Sequence, residues 1–195
     1  ITYPDGRNVY YDYDYDGKAV ANYLDNNMAK VTLSYLVSGQ TTQTDIDNNS
    51  TIYKFNDLGY TTEISDVENG VTSKYTIDAN GNTTVATDPK NNQVKYTYDT
   101  NNNVTSITDA LGNKKYIEYN TTFNLPTKVT DFDGKYILFD YDLKGNLVKV
   151  TDKEGNVTTN EYDTYGNLTK TTDSKDNIYT YTYNLSGQLL TKTDP

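Results

Sequence analysis

The chain has 195 residues, with 27 acidic against 17 basic side chains and a formal charge of −10. Arg7 is its only arginine, and a phosphate-binding surface needs clustered lysine and arginine, so nucleic acid is not expected as a partner. Neither cysteine nor histidine occurs, which removes disulfides, thiolate chemistry and the most common general base and metal ligand.

Hydrophobic residues make up 34% of the chain, below the roughly 45–50% of an ordinary globular protein. Even so, 21 residues are tyrosine, and tyrosine, valine, isoleucine and threonine suit a pleated, half-buried surface rather than a disordered chain. No apolar run approaches about 18 residues, so no membrane-spanning helix is expected. The first residue is Ile1, and we read the chain as a piece of a larger protein.

Taken in chain order, the sequence predicts nine tandem β-hairpins with a period of 21 or 22 residues. Residues 1–52 hold degenerate copies, marked by Asp14 with Asp25 and by Ser34 with Asp45. Residues 53–195 hold regular ones. In each copy the residue before the first turn is large and apolar or aromatic: Tyr13, Leu33, Phe55, Ile77, Tyr98, Tyr119, Tyr141, Tyr162 and Tyr183. One position back the residues are polar, as in Thr76, Thr97, Glu118, Asp140 and Glu161. Two positions back stand Tyr11, Val31, Tyr53, Tyr75, Tyr96, Ile117, Phe139, Asn160 and Tyr181, with Asn160 alone out of step. Strict period two predicts strands with one covered face and one wetter face.

Two turns punctuate each copy. The first follows the aromatic strand and starts at Asn56, Asp78, Asp99, Asn120, Asp142, Asp163 or Asn184. Asp at the first position with Gly at the fourth (Gly81, Gly145, Gly166) suits a type I turn closing on a left-handed residue, and Asn91 and Asn102 stand in where glycine is missing. The second turn starts at the Asp of a recurring acidic column: Asp66, Asp88, Asp109, Asp131, Asp152, Asp173 and Asp194. Two turns and two strands per copy leave about six residues per strand, and about 18 strands in all.

The copies Phe139–Asn156 ("FDYDLKGNLVKVTDKEGN") and Glu161–Asp173 ("EYDTYGNLTKTTD") resemble the YD-repeat, or Rhs-repeat, family, whose pattern is approximately Y-x-Y-D-x-x-G-N-L-x-x-x-T-D-x-x-G-N. Copies nearer the start, such as "VTLSYLVSGQTTQTD", keep little beyond the alternation and the closing Asp. The resemblance implies an all-β fold in which the hairpins form one continuous curved sheet, a segment of a spiral β-shell. It also implies a place in large secreted or cell-surface bacterial proteins, cell wall-associated ones included, or in teneurin-like proteins. In polymorphic toxins and insecticidal toxin complexes such a shell encloses a toxic C-terminal domain, behind a plug segment with an Asp-based cleavage site. No glycine-rich, DP-containing plug occurs here, so no protease residue is carried over.

The residues leave little room for other chemistry. A paired-carboxylate site is normally one place, whereas these acids recur in every copy, so no enzyme activity is expected. Calcium is the stronger rival, since Asp is a favoured ligand. Successive copies, however, lie two strands apart, about 9–10 Å, too far for one cation to bridge. Each Asp is therefore read as capping its own turn, and no cofactor is expected. Tyr53, Phe55, Tyr75, Tyr96, Tyr98, Tyr141, Tyr162, Tyr181 and Tyr183 are read as strand-face packing rather than a sugar platform. The sequons at Asn103 and Asn167 are by-products of the repeat.

The sequence thus predicts a structural segment of a shell around a cargo domain, with further repeats and that domain of the same polypeptide as partners. The alternative is an adhesive surface module that binds glycans or a cell-surface protein. Eighteen strands would make a ribbon on the order of 85 Å wide, more than an open twisted sheet sustains flat. A single curved layer with a cavity-lining concave face is expected, not a filled sandwich.

Overall fold

The computed structural model describes residues 2, 8–24, 29–35 and 37–195; Ile1, Arg7 and Asp25 lie outside them. Eighteen antiparallel strands form one sheet, and no helix occurs among the described residues. The chain divides into two compact units, Ile1–Lys95 and Tyr96–Pro195.

The first unit holds β1 (Val9–Tyr13), β2 (Ala19–Leu24), β3 (Val31–Ser34), β4 (Gln40–Thr44), β5 (Ser50–Phe55), β6 (Thr61–Asp66), β7 (Val71–Ile77) and β8 (Thr83–Thr87). Strand β9 (Gln93–Tyr98) begins in it and ends in the second. The second unit continues with β10 (Val104–Thr108), β11 (Lys114–Tyr119), β12 (Pro126–Thr130), β13 (Tyr136–Tyr141), β14 (Leu147–Thr151), β15 (Val157–Tyr162), β16 (Leu168–Thr172), β17 (Ile178–Tyr183) and β18 (Leu189–Thr193).

Within each unit every strand pairs with its neighbours in sequence, as β5 does with β4 and β6, and β13 with β12 and β14. Strand contacts follow the same rule, so each unit is a single layer of sheet. Burial agrees. Ala21, at 4% exposure, is the one buried hydrophobic residue among those described. The apolar side chains are half-covered by their neighbours in the sheet instead of meeting in a closed core.

The period-two pattern appears in the strands that lead into the first turn. Strands β9, β11, β15 and β17 alternate strictly between exposed and half-buried residues, with the aromatic columns on the half-buried face. The returning strands β8, β10, β12, β14 and β16 are half-buried throughout. Some of their outward residues are short and sit between longer ones. Thr130 lies opposite Tyr116 on one side and Tyr136 on the other, and the two rings shade it.

The first copy departs from the pattern. Tyr11 and Tyr13 are 38% and 62% exposed, whereas Asp12 is half-buried and accepts a hydrogen bond from the Tyr23 hydroxyl at 3.1 Å. Here Tyr10 stacks on Tyr23, its partner in β2, with ring centroids 5.6 Å apart, so this stacked pair uses the other face, while Tyr11 and Tyr13 meet at 6.4 Å on their own.

One feature of the ladders was not legible in the alternation. Hairpins β1–β2, β5–β6, β7–β8, β11–β12, β13–β14, β15–β16 and β17–β18 each carry a register shift at the residue before the turn. A bulge of this kind bends its strand and increases the local right-handed twist. Repeated at one place in successive hairpins, it applies the same bend each time.

Candidate functional site

The most elaborate local chemistry is the turn, and it is built alike at both ends of the strands. In the first turns, Asp78 Oδ1 accepts from the backbone N–H groups of Asn80 and Asn82, both at 2.9 Å, and Asn82 Nδ2 donates to Asp78 Oδ2 at 3.2 Å. Asp142 and Asp163 bind their turns in the same way, through Asn146 and Asn167. In the second turns, Asp109 accepts from Leu111 N, Asn113 N and Asn113 Nδ2 at 2.9, 2.8 and 2.8 Å. Asp88, Asp152 and Asp173 repeat the set through Asn92, Asn156 and Asn177. Asp66 does so with Asn69 alone, at 3.0 and 2.7 Å.

The backbone completes each clasp: Asp109 N–H donates to Asn113 O, and Gly112 N–H donates to Asp109 O. The fourth residue is left-handed, with φ of +89°, +86° and +87° at Gly81, Gly145 and Gly166, and 66° and 64° at Asn91 and Asn102. This is a type I turn followed by a left-handed residue, the usual three-residue hairpin loop. The asparagine four places after the Asp closes it, a role that sequence reasoning missed. The signal was present in the constant "GN" and in the Asn of "KNN" and "NNN".

The clasp sets the electrostatics of its carboxylate. The Asn113 amide, with backbone N–H groups, holds the Asp109 carboxyl below the ordinary range. The amides of Asn156 and Asn167 do the same for Asp152 and Asp163. Each of these carboxylates accepts three hydrogen bonds within its own turn, and no group of three or more metal-binding side chains occurs among the described residues.

Two members of the acidic column are placed differently. The residue four after Asp131 is Lys135, which offers no side-chain amide. The Asp131 carboxylate turns instead to Lys153 of the next copy, which lowers its pKa, and Lys135 pairs with Glu154 at 3.5 Å. Asp194 pairs with Lys192 at 2.7 Å.

The aromatic columns Tyr53, Phe55, Tyr75, Tyr96, Tyr98, Tyr141, Tyr162, Tyr181 and Tyr183 are all half-buried. Three pre-turn tyrosines reach beyond their own hairpin. Tyr119, Tyr141 and Tyr162 donate their hydroxyls to the carbonyls of Val104, Pro126 and Leu147, at 3.0, 2.9 and 2.9 Å. In each case the acceptor opens the returning strand of the preceding hairpin, so the phenol staples hairpin to hairpin. Burial pushes all three phenols up. Four of the bulges are capped by a threonine: Thr62, Thr84, Thr127 and Thr169 donate to the carbonyls of Lys54, Thr76, Glu118 and Glu161 at 3.1–3.3 Å.

The wetter face carries cross-strand ion pairs at one level. Lys54–Glu63, Glu118–Lys128, Asp140–Lys149 and Glu161–Lys170 lie at 2.6, 3.4, 3.6 and 2.8 Å. All four are directly opposite in register, where opposite charges favour the pairing.

A groove of about 540 Å³ lies between the turns at Asp163 and Asn184, lined by Tyr165, Tyr181, Tyr183 and Leu185 among others. Two copies earlier a groove of about 330 Å³ has Phe139, Tyr141 and Leu143 in the corresponding places. A groove that recurs with the repeat is a product of hairpin stacking.

A sheet that is a single layer within each unit, made of clasped and mostly bulged hairpins and stapled between neighbours at Tyr119, Tyr141 and Tyr162, defines a tandem β-hairpin repeat protein. Comparison with protein families gives the kind: the RHS Repeat model matches residues 78–114, 98–136, 141–178 and 162–195, more than half of the chain, which therefore belongs to the RHS-repeat family. Among solved structures it is similar to the crystal structure of TcdB2-TccC3, with 13% identity and a TM-score of 0.61 over 96% of this chain. It covers 14% of that chain, and at this identity the likeness is one of fold. Two more distant structures do not bear on function. The Tc holotoxin pore of Photorhabdus luminescens has 13% identity and a TM-score of 0.40, over 96% of this chain and 15% of that one. A porin-like protein from Bacteroides uniformis has 14% identity and a TM-score of 0.33, over 98% and 93%. No curated protein matches the chain.

Proposed function

We propose that this chain is a wall segment of a hollow shell which encloses a cargo domain of the same secreted or cell-surface polypeptide. The observation that carries the reading is a sheet that is a single layer within each unit and buries one hydrophobic residue, Ala21, among those described. A domain that bound or catalysed by itself would need a core to hold its site rigid. A wall needs a unit that adds to the last one indefinitely, and the clasped hairpin with its tyrosine staple is such a unit. The RHS-repeat membership and the fold likeness to TcdB2-TccC3 support the same reading.

Limited proteolysis of the intact protein tests it. An enclosed domain survives a protease that removes free tails, and becomes sensitive at the urea concentration that melts the repeats. A domain cut equally fast with and without the repeats overturns the shell. Binding to a glycan array by the repeats alone would then favour an adhesive module.

A further inference from the structure

The apolar or aromatic column two places before the turn is interrupted once, at Asn160, and the interruption is matched across the ladder. Elsewhere the residue directly opposite this column in the returning strand is apolar in four hairpins, Ile64 opposite Tyr53, Ala86 opposite Tyr75, Val129 opposite Ile117 and Val150 opposite Phe139, and polar in two, Asn22 opposite Tyr11 and Lys192 opposite Tyr181. Opposite Asn160 stands Thr171. Thr171 Oγ1 donates to Asn160 Oδ1 at 2.9 Å, and Asn160 Nδ2 donates to Leu147 O at 3.0 Å. One half-buried amide therefore ties three strands, β14, β15 and β16, and shares the Leu147 carbonyl with the Tyr162 hydroxyl.

We propose that the Asn160–Thr171 pair is the determinant of strand order and register in the second unit. The hazard it answers is created by the repeat. Clasps, staples and columns are nearly the same in every hairpin, so a leading strand that meets the wrong returning strand, in its own chain or another, still satisfies most of its contacts. Asn160 does not share this tolerance. Set against Val129 or Val150, its carbonyl oxygen would face a side chain with no donor, and an unsatisfied, partly buried amide disfavours that pairing on the order of ten- to a hundred-fold. A lone buried asparagine fixes register in coiled coils by the same logic, at some expense of stability.

The test uses the 195-residue chain and three variants: Asn160→Tyr, Thr171→Val and the double variant, which restores the pattern of the other copies. Thr171→Val is expected to lower the urea midpoint when Asn160 is present and to leave it unchanged or raised when Tyr occupies position 160. The double variant is expected to be at least as resistant to urea as the parent. On refolding from urea it should give about ten-fold more mispaired material, seen as additional amide resonances for β14–β16 and as dimers on size exclusion. An equal effect of Thr171→Val in both backgrounds, a double variant that melts earlier than the parent, or one that refolds to a single species in parental yield would each overturn the proposal.

Discussion

Removing the Tyr141 hydroxyl tests whether the phenols hold neighbouring hairpins together. In Tyr141→Phe the ring and its packing stay, and only the 2.9 Å bond to Pro126 O is lost. A neutral hydrogen bond of this kind is worth about 0.5–1.5 kcal/mol net. For a chain of this length each kcal/mol moves the melting temperature by about 2–4 °C, so a fall of about 3 °C is expected. Tyr162→Phe should fall less, because Leu147 O keeps the Asn160 amide at 3.0 Å. The double variant Tyr119→Phe/Tyr141→Phe should lose the sum, roughly 2 kcal/mol, since the two acceptors sit in different hairpins about 9–10 Å apart. The control is Tyr136→Phe on the wetter face, where the ring lies under Lys128 Nζ at 4.9 Å. Thermal melts followed by circular dichroism supply the readout. A Tyr141→Phe variant that melts no earlier than Tyr136→Phe would refute the staple.

Acid and base should act at opposite ends of the pH scale. The clasp carboxylates of Asp109, Asp152 and Asp163 have lowered folded pKa values, so the stability they contribute is present above the ordinary carboxylate range, near pH ~4, and is lost as pH falls through the lowered values. The buried phenols of Tyr119, Tyr141 and Tyr162 have raised pKa values, so their contribution is full below about pH 10 and is lost above it. With no histidine in the chain, the melting temperature should be flat between about pH 5 and 8; a slope of several degrees there would contradict the assignment. EDTA should leave the melting temperature of the purified chain unchanged, and a fall of many degrees would show that the acidic turns hold calcium. Gly81→Ala and Gly112→Ala share a left-handed φ of +89° and +88°, which costs alanine about 1–2 kcal/mol. At Gly81 a Cβ would also stand 2.8 Å from the Tyr60 ring, whereas at Gly112 it meets open space, so Gly81→Ala should melt earlier, and equal melts would mean that the ring moves aside freely.

The sequence alone determined the elements and their faces. Alternation of Tyr181 and Tyr183 with Thr182, or of Ile117 and Tyr119 with Glu118, is a local property of the chain, and a pleated strand turns it directly into a half-buried and an exposed face. The turn is equally local: an Asp, a left-handed Gly or Asn and a closing Asn lie within five residues, and all their bonds form inside that span. What the tertiary structure decided is every contact whose partner lies in another hairpin. That Tyr141 bonds Pro126 O, that Asp131 turns from its own turn to Lys153, and that Asn160 fits because Thr171 stands opposite all depend on register. The ladders also run through a bulge that the period-two alternation of the leading strand does not mark. The half-burial of β8, β10, β12, β14 and β16 on both faces belongs here too, since a threonine such as Thr130 is covered only by what the strands on either side bring over it.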